Sequence, residues 1–550
     1  MGRLFQGRRR RRGGLPLAME GRAPATQSTS SIDGWVACFR PFVALAVALG
    51  CTSGHVAAMA SANEMPTGSA APPMNVLFIL ADDLGYSDTT LYGTTWFYET
   101  PNIQQLASRG MTFTNAYSAS PMCSASRAAI LTGHDPARRG FTGAGGHLEV
   151  ETVQAFRRDR KGRPPGPRLK TKKTLVPASA TRMPLDVDNL AKAFKRHGYT
   201  TALFGKWHLG AAPHRALDHG FDVDVPSWSG PSTPYFAPWP IPEAEGFKSG
   251  RPGEHIDDRM TNEAIAFMEQ HQNEPFFLNY WAFSVHSPFE ARPDLVQKYA
   301  KRAHPANAQR SPVYAAMVEH FDSNVGKLLA ALETLGLRER TIIVFTSDNG
   351  GSTYDVIDGH SVTSNAPLRG GKAQIYEGGF RVPTVVVWPG RVAPKSRSSA
   401  FLSGVDWFPT LMEMLKLDAS PTHQFDGVSQ VSALIGGEGL RSSFVGYLPH
   451  RFPLPNTWPS TSFREGDWKL IRFHHDGPIQ QDRFELYNLV SDPGEMNDLS
   501  DSQPDRVRAM DMQISDYLSR MGAIIPVKNP HYQRESAPPA PEASKNPSLM

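Results

Sequence analysis

Cysteine is scarce. Only Cys38, Cys51 and Cys123 occur in 550 residues, too few for a disulfide framework, and no second cysteine or tight histidine pair stands near Cys123 to suggest a structural zinc site. Long apolar runs are also missing from the leader, where Pro41–Gly50 (PFVALAVALG) has 10 residues, half the roughly 20 that a membrane-spanning helix needs. Nor is there an excess of one charge. The chain holds 57 basic and 53 acidic residues, but residues 1–62 take eight of the basic and two of the acidic ones. The remainder is close to balance, which excludes a general nucleic-acid footprint, and no nucleic-acid partner is expected. We find no internal repeat. With 40% hydrophobic and 20% charged residues, what is present reads as ordinary globular protein, long enough for two domains with sizeable cores.

The leader reads as an export signal. Arg40 precedes the short apolar run, and Ala60-Ser61-Ala62 fits a small-x-small cleavage site, so residues 1–62 are expected to be removed and the protein to be periplasmic or extracellular. Cys51, following Ala48-Leu49-Gly50, faintly resembles a lipoprotein site with alanine where leucine is usual, so a lipid anchor is the second reading. Membrane contact is expected only through that signal or anchor. After cleavage Cys123 is the last cysteine. It can form no internal disulfide, and an unpaired thiol in an oxidising compartment is a liability unless it packs inertly or is chemically converted.

Four apolar runs of strand length each end in polar groups. Asn75–Leu80 ends in Asp82-Asp83, Thr200–Phe204 runs into Gly205-Lys206-Trp207-His208, Phe276–Ser284 leads to His286, and Thr341–Thr346 ends in Ser347-Asp348-Asn349. Val382–Trp388 is a further strand candidate, after a loop that carries Gly370-Gly371-Lys372. Helical periodicity fills Asn102–Arg109, Asp186–His197, Asp257–His271 and Pro312–Leu335. Strands alternating with helices predict an α/β fold: a mainly parallel sheet flanked by helices, whose carboxyl edges meet at one site, over a catalytic domain of residues 74–424. Within it, residues 144–182 form a basic, proline-rich insertion read as a solvated loop, and residues 211–255 read as long loops. From residue 425 the texture changes: Ser462–Phe473 and Phe484–Leu489 look antiparallel and a helix follows over Gln503–Met521. This predicts a smaller C-terminal α+β domain over 425–528 carrying an antiparallel sheet, then a disordered tail over 529–550.

The chemistry collects at these segment ends. Cys123 stands where an extended approach gives way to a helical run, Ser124–Leu131, near unpaired N–H groups and the positive end of the helix dipole. Arg127 lies one turn on, able to reach back over it. On spacing alone such a pair reads first as a helix start with a buried cysteine and a surface arginine, and only second as an anion site. Asp82, Asp83, Asp348 and Asn349 offer only oxygen ligands, which suit a hard divalent cation. Arg127, Lys206 and Lys372 add positive charge and His208 and His286 two proton carriers, a set suited to a sulfate or phosphate ester.

The ordered motifs resemble type I, formylglycine-dependent sulfatases of the alkaline phosphatase superfamily, most closely the exported bacterial arylsulfatase A-like ones. Cys123-Ser124-Ala125-Ser126-Arg127 with Leu131-Thr132-Gly133 is similar to the family signature, with Ala125 where proline is commoner. Leu80–Gly85 (LADDLG), Gly205–Gly210 (GKWHLG), Thr346–Gly350 (TSDNG) and Pro367–Lys372 (PLRGGK) continue the likeness, which runs from about residue 74 to 525. The resemblance implies an alkaline phosphatase-like fold and a sulfuric ester hydrolase. It implies that a maturation enzyme converts Cys123 to formylglycine, whose hydrate is the nucleophile. One calcium ion would be held by Asp82, Asp83, Asp348, Asn349 and residue 123. Arg127 and Lys206 would hold the hydrate, His208 would deprotonate it, His286 would protonate the leaving alcohol and Lys372 would contact the sulfate. Two alternatives share the scaffold: a phosphodiesterase or phosphonate monoester hydrolase, and a non-catalytic, calcium-stabilised glycan-binding protein. Trp207, Trp228, Trp239 and Trp458, with Tyr447–Pro453, suggest a sulfated sugar as substrate.

Overall fold

The apolar run after Met74 forms strand β1 (Asn75–Ala81), every residue of it buried. Alternate side chains enter different cores: Val76, Phe78 and Leu80 join one apolar cluster, Leu77, Ile79 and Ala81 the other. A strand covered on both faces needs no polar alternation, which is why it reads as continuous apolar sequence. The computed structural model describes residues 73–148, 171–241, 247, 250–452, 454 and 457–533, within one compact unit that starts at Ala70. The leader, the middle of the basic insertion and residues 534–550 lie outside the described residues.

The other strands of the main sheet are β2 (Met111–Tyr117), β3 (Thr200–Lys206), β4 (Val223–Trp228), β5 (Phe276–Trp281), β6 (Thr341–Ser347), β7 (Thr384–Val387) and β8 (Ser396–Ser403). Their spatial order is β8-β2-β7-β6-β1-β5-β3-β4. Only β7 runs against its neighbours β2 and β6; the other pairings are parallel. Register places the chemistry. Ala81 pairs with Ser347, Leu80 with Trp281 and Gly205 with Trp281. The polar groups that follow β1, β6 and β5, and Lys206 at the end of β3, therefore emerge at one edge. Gly205 allows this close packing: its φ is +116°, and a Cβ there would sit 1.9 Å from the Trp281 carbonyl oxygen.

Several sequence expectations need correction. The helix expected over Asp186–His197 is shorter, Leu190–Arg196, because Asn189 caps it by accepting from the Lys192 N–H. The stretch 211–255 is not all loop, since it supplies the edge strand β4. The strands β2 and β8 carry too many polar residues to be read as buried runs; β8 has exposed positions along its first half. Elsewhere boundaries agree closely. Ser311 caps the long helix Pro312–Thr334 through the Tyr314 N–H, with Pro312 in its first turn.

The C-terminal region carries a second, antiparallel sheet of β9 (Ser443–Leu448), β10 (Ser460–Glu465), β11 (Trp468–Phe473) and β12 (Arg483–Asn488). Helix Pro504–Arg520 covers it through Met510, Ile514 and Leu518, which pack with Leu470 and Leu486. Buried ion pairs join β10 and β11 to the segment before β7. Arg464 lies 3.0 Å and Lys469 3.1 Å from the Glu377 carboxylate, and Lys469 lies 2.8 Å from Glu495. Asn529, expected to open the tail, is buried and donates its backbone N–H to Lys173. Among the described residues no helix is long and apolar enough to cross a membrane.

Candidate active site

Cys123 is the first residue of a ten-residue helix, Cys123–Thr132, all of it buried. The approach is stapled locally: the Ser126 hydroxyl donates to the Ser120 carbonyl at 2.8 Å and accepts from the Ser120 N–H at 3.1 Å. This bends residues 120–123 into the helix start and directs the thiol inward. Its Sγ lies 3.4 Å from Nδ1 of His208. Burial pushes the thiol's pKa up, against the opposing pull of Lys206 and Lys372.

Arg127 lies one turn further on, close enough for its charge to act on Cys123, and is held by groups from distant segments. Its Nε donates to Asp348 at 2.8 Å, and a terminal nitrogen donates to the Lys206 carbonyl at 2.8 Å. Burial works against its charge, yet the carboxylates of Asp348 and Asp82 outweigh that and hold its pKa above the ordinary value. Lys206 donates to Asp82 at 2.5 Å and Lys372 to Asp83 at 2.7 Å. His286 Nε2 stands 3.6 Å from Asp83, while its Nδ1 lies 2.7 Å from the Ser287 carbonyl and donates to it. Burial, then Lys372, push its pKa down to about 3, with Asp83 opposing. His208 is held well below the ordinary range by burial and then by Lys206.

The acids are unequally satisfied. Asp83 is buried, which alone would raise its pKa, but Lys372, His286 and Lys206 overcome this and keep it ionised. Asn349 donates to its second oxygen at 2.8 Å. Asp82 is pushed up to about 8, first by burial; Lys206 opposes this, and the neighbouring Asp348 and Asp83 add to it. Asp82 Oδ1 and Asn349 Oδ1 are both buried without a hydrogen-bond partner. Asp82, Cys123 and Asp348 offer ligand atoms within 4.8 Å of one another, as do Asp82, Asp83 and His286. Unpartnered buried oxygens among acids are costly unless a cation fills the gap. A hard divalent cation fits this donor set.

All ten residues singled out in the sequence thus meet at one sheet edge. Two supporting residues escaped the sequence reading. Asp257, at the start of helix Ile256–Gln270, accepts from the backbone N–H groups of Phe283 and Ser284, both at 3.1 Å, and so fixes the loop that carries His286. His147, assigned by sequence to the solvated insertion, places Nδ1 3.4 Å from His208 Nε2. The pair Gly145-Gly146 before it was the available signal.

The tryptophan expectation is overturned for two of the four. Trp207 and Trp239 are buried and bonded to the carbonyls of His214 and Tyr235, so neither can stack on a sugar. Trp228 and Trp458 are half-buried, and the Arg451 guanidinium lies over the Trp458 ring. In Tyr447–Pro453, Tyr447 is tied to the Ile524 carbonyl and His450 to the Thr142 hydroxyl. A cavity of about 410 Å³ lined by His134, Arg139 and His423 touches none of the ten.

The family model described as Sulfatase matches residues 74–417, and that of the N-sulphoglucosamine sulphohydrolase C-terminal region matches residues 371–521. N-acetylgalactosamine-6-sulfatase of Canis lupus familiaris is 30% identical over 524 residues, covering 88% of this chain and 90% of its own length. Arylsulfatase A of Bos taurus is 30% identical over 480 residues, covering 79% of this chain and 85% of its own. Among solved structures, the crystal structure of Ps i-CgsB superposes with a TM-score of 0.65 at 26% identity, covering 81% of this chain and 93% of that one.

Proposed function

Because the chain belongs to the sulfatase family, we propose that it is an exported, formylglycine-dependent enzyme that releases inorganic sulfate from a sulfated carbohydrate with the help of one calcium ion. The observation that carries this reading is the seat of Cys123: a buried helix start, 3.4 Å from a histidine nitrogen and beside acids with unpartnered oxygens. The carbohydrate class follows the printed activity of relatives such as the canine N-acetylgalactosamine-6-sulfatase.

Formylglycine, formed from Cys123 by a maturation enzyme and hydrated, would supply two hydroxyls, one to attack sulfur and one to expel sulfate. Calcium would be held by Asp82, Asp83, Asp348, Asn349 and residue 123, and would supply a Lewis acid for the sulfate oxygens. Arg127, fixed by Asp348, and Lys206 hold the hydrate. Lys372 binds the ester's negative oxygens, leaving the carboxylate it now pairs with to the cation. His208 takes a proton at Nδ1 from the group at position 123. His286 gives a proton from Nε2 to the departing alcohol, once the ester's negative charge offsets the burial and the nearby lysines that now keep it neutral.

The test is co-expression with a formylglycine-generating enzyme, then assay of p-nitrophenyl sulfate beside a phosphate diester and a panel of sulfated saccharides. Sulfate release with saccharide preference is expected. A clear diester preference would transfer the chain to the phosphodiesterase reading. Absence of any turnover, with Cys123 left as a thiol, would favour the glycan-binding reading.

A further inference from the structure

His147 has no part in the roles assigned above, yet it contacts His208 from the solvent side. The two imidazoles are nearly parallel, 10° apart, with centroids separated by 5.6 Å and nitrogens by 3.4 Å. Rings stacked face to face would have closer centroids; this separation is that of two rings bonded nitrogen to nitrogen in nearly one plane. The segment is built to hold this pose. A Cβ on Gly146 would fall 1.8 Å from the His208 carbonyl oxygen, so only glycine lets the backbone lie directly on His208. The backbone N–H groups of Thr142 and Gly143 both bond the Ser179 hydroxyl at 2.9 Å, and the Thr181 hydroxyl donates to the Leu148 carbonyl at 2.8 Å. Residues 142–148 are thus fixed on both sides of His147.

We propose that His147 is a positioning residue that selects the tautomer of His208, accepting at its own Nδ1 the proton carried by His208 Nε2. This rests on the reading of His208 as the base. Its Nδ1 faces position 123 and must be free of a proton to take one, so its other nitrogen carries the N–H and needs an acceptor. A histidine held in one tautomer by a partner on its far nitrogen is a recurrent device in catalytic and metal sites. His147 would supply it here with a neutral ring in place of a carboxylate. Its remaining nitrogen, Nε2, then bears hydrogen.

The experiment has two arms. The first uses histidine-¹⁵N-labelled full-length protein with Cys123 unconverted, so no turnover is needed. In the wild type His208 should show protonated Nε2 and unprotonated Nδ1; in His147→Ala it should become a mixture of both tautomers. An unchanged His208 spectrum, or Nδ1–H in the wild type, overturns the proposal. The second arm uses the converted enzyme on p-nitrophenyl sulfate. His147→Ala should lower kcat about 10–100-fold with little change in KM, the usual range for an orienting partner, and His147→Gln, whose amide oxygen can accept the same proton, should recover most of it. Equal losses in both variants, or an effect on KM alone, would reassign His147 to folding or to substrate contact. If the converted wild type hydrolyses no sulfate ester, the proposed function fails while the tautomer comparison still decides this inference.

Discussion

The fold holds two buried charge clusters, and they are built differently. Around Glu377, the bases Arg464 and Lys469 and the acids Glu377 and Glu495 pair within about 3 Å. Around Asp82, three acids meet three bases, yet Asp82 Oδ1 has no closer cation than an Arg127 nitrogen at 3.7 Å, and Asn349 Oδ1 has no partner. In the first cluster Glu495 Oε1 also accepts no hydrogen bond, but Lys469 Nζ lies 2.8 Å from it, and the cluster ties the antiparallel sheet to the segment before β7. The second is closed except where a ligand would complete it. Balanced formal charge is therefore a poor guide to function, and a buried carboxylate oxygen with no close cation is a better one.

The largest effect expected from breaking this contrast is chemical. Cys123→Ala should abolish turnover, by at least ~10⁴-fold as for loss of other covalent nucleophiles. Losing one sulfur atom at the helix start should shift thermal unfolding by only a few degrees. Sulfate release and melting curves check both, and retained activity would remove the nucleophile from the mechanism. Next comes Asp348→Ala, which strips Arg127 of its closest partner in a fully buried site. Destabilisation of about 3–5 kcal/mol is expected from an uncompensated buried charge, together with loss of activity. Denaturant unfolding measures the first, and an unchanged midpoint would mean that Arg127 finds another partner.

Glu377→Gln should destabilise by a comparable or slightly smaller amount, since Arg464 and Lys469 lose their shared carboxylate but Lys469 keeps Glu495. The two clusters should then separate by their response to calcium. Chelation should lower the melting temperature and activity of the wild type, with recovery on adding calcium back, because a cation bound only by the folded state stabilises by mass action. Glu377→Gln should keep that chelator-induced shift and Asp348→Ala should lose it. A wild-type melting temperature indifferent to chelator would argue against the cation site.

What could be read from sequence follows the same physical divide. The fully buried strands β1, β5 and β6 are continuous apolar runs, and parallel in-register pairing makes their carboxyl ends converge, so Asp82, Asp83, His286, Asp348 and Asn349 could be assembled without coordinates. Edge and polar strands such as β4 and β8 carry no such pattern. Side-chain direction was less legible. Spacing on one helix face places Arg127 near Cys123, but it does not reveal the partners that hold the guanidinium, Asp348 just beyond β6 and the Lys206 carbonyl. Trp207 lies in a motif beside the site and packs the core. His147 belongs to a charged segment that composition marks as loop, and only the contact of Gly146 with His208 draws it to the site.

The smallest effect expected concerns pH and the Glu377 cluster. Burial pushes Glu495 up to about 7 from its ordinary 4.5, with Lys469 opposing and Glu377 reinforcing. A carboxyl that binds its proton more tightly when folded makes the native state the more protonated one between these values. The slope of stability with pH is then negative: the contribution is whole below about pH 4.5 and is lost as pH rises through about 7. The amplitude is on the order of 3 kcal/mol over this window. Glu495→Gln should flatten that part of the profile in urea unfolding at constant calcium. Chelator should leave the difference between the two proteins unchanged, since this cluster shares no ligand with the cation site. A difference that depended on calcium would instead mean that the two charge clusters are coupled through the Lys372–Glu377 segment that lies between them.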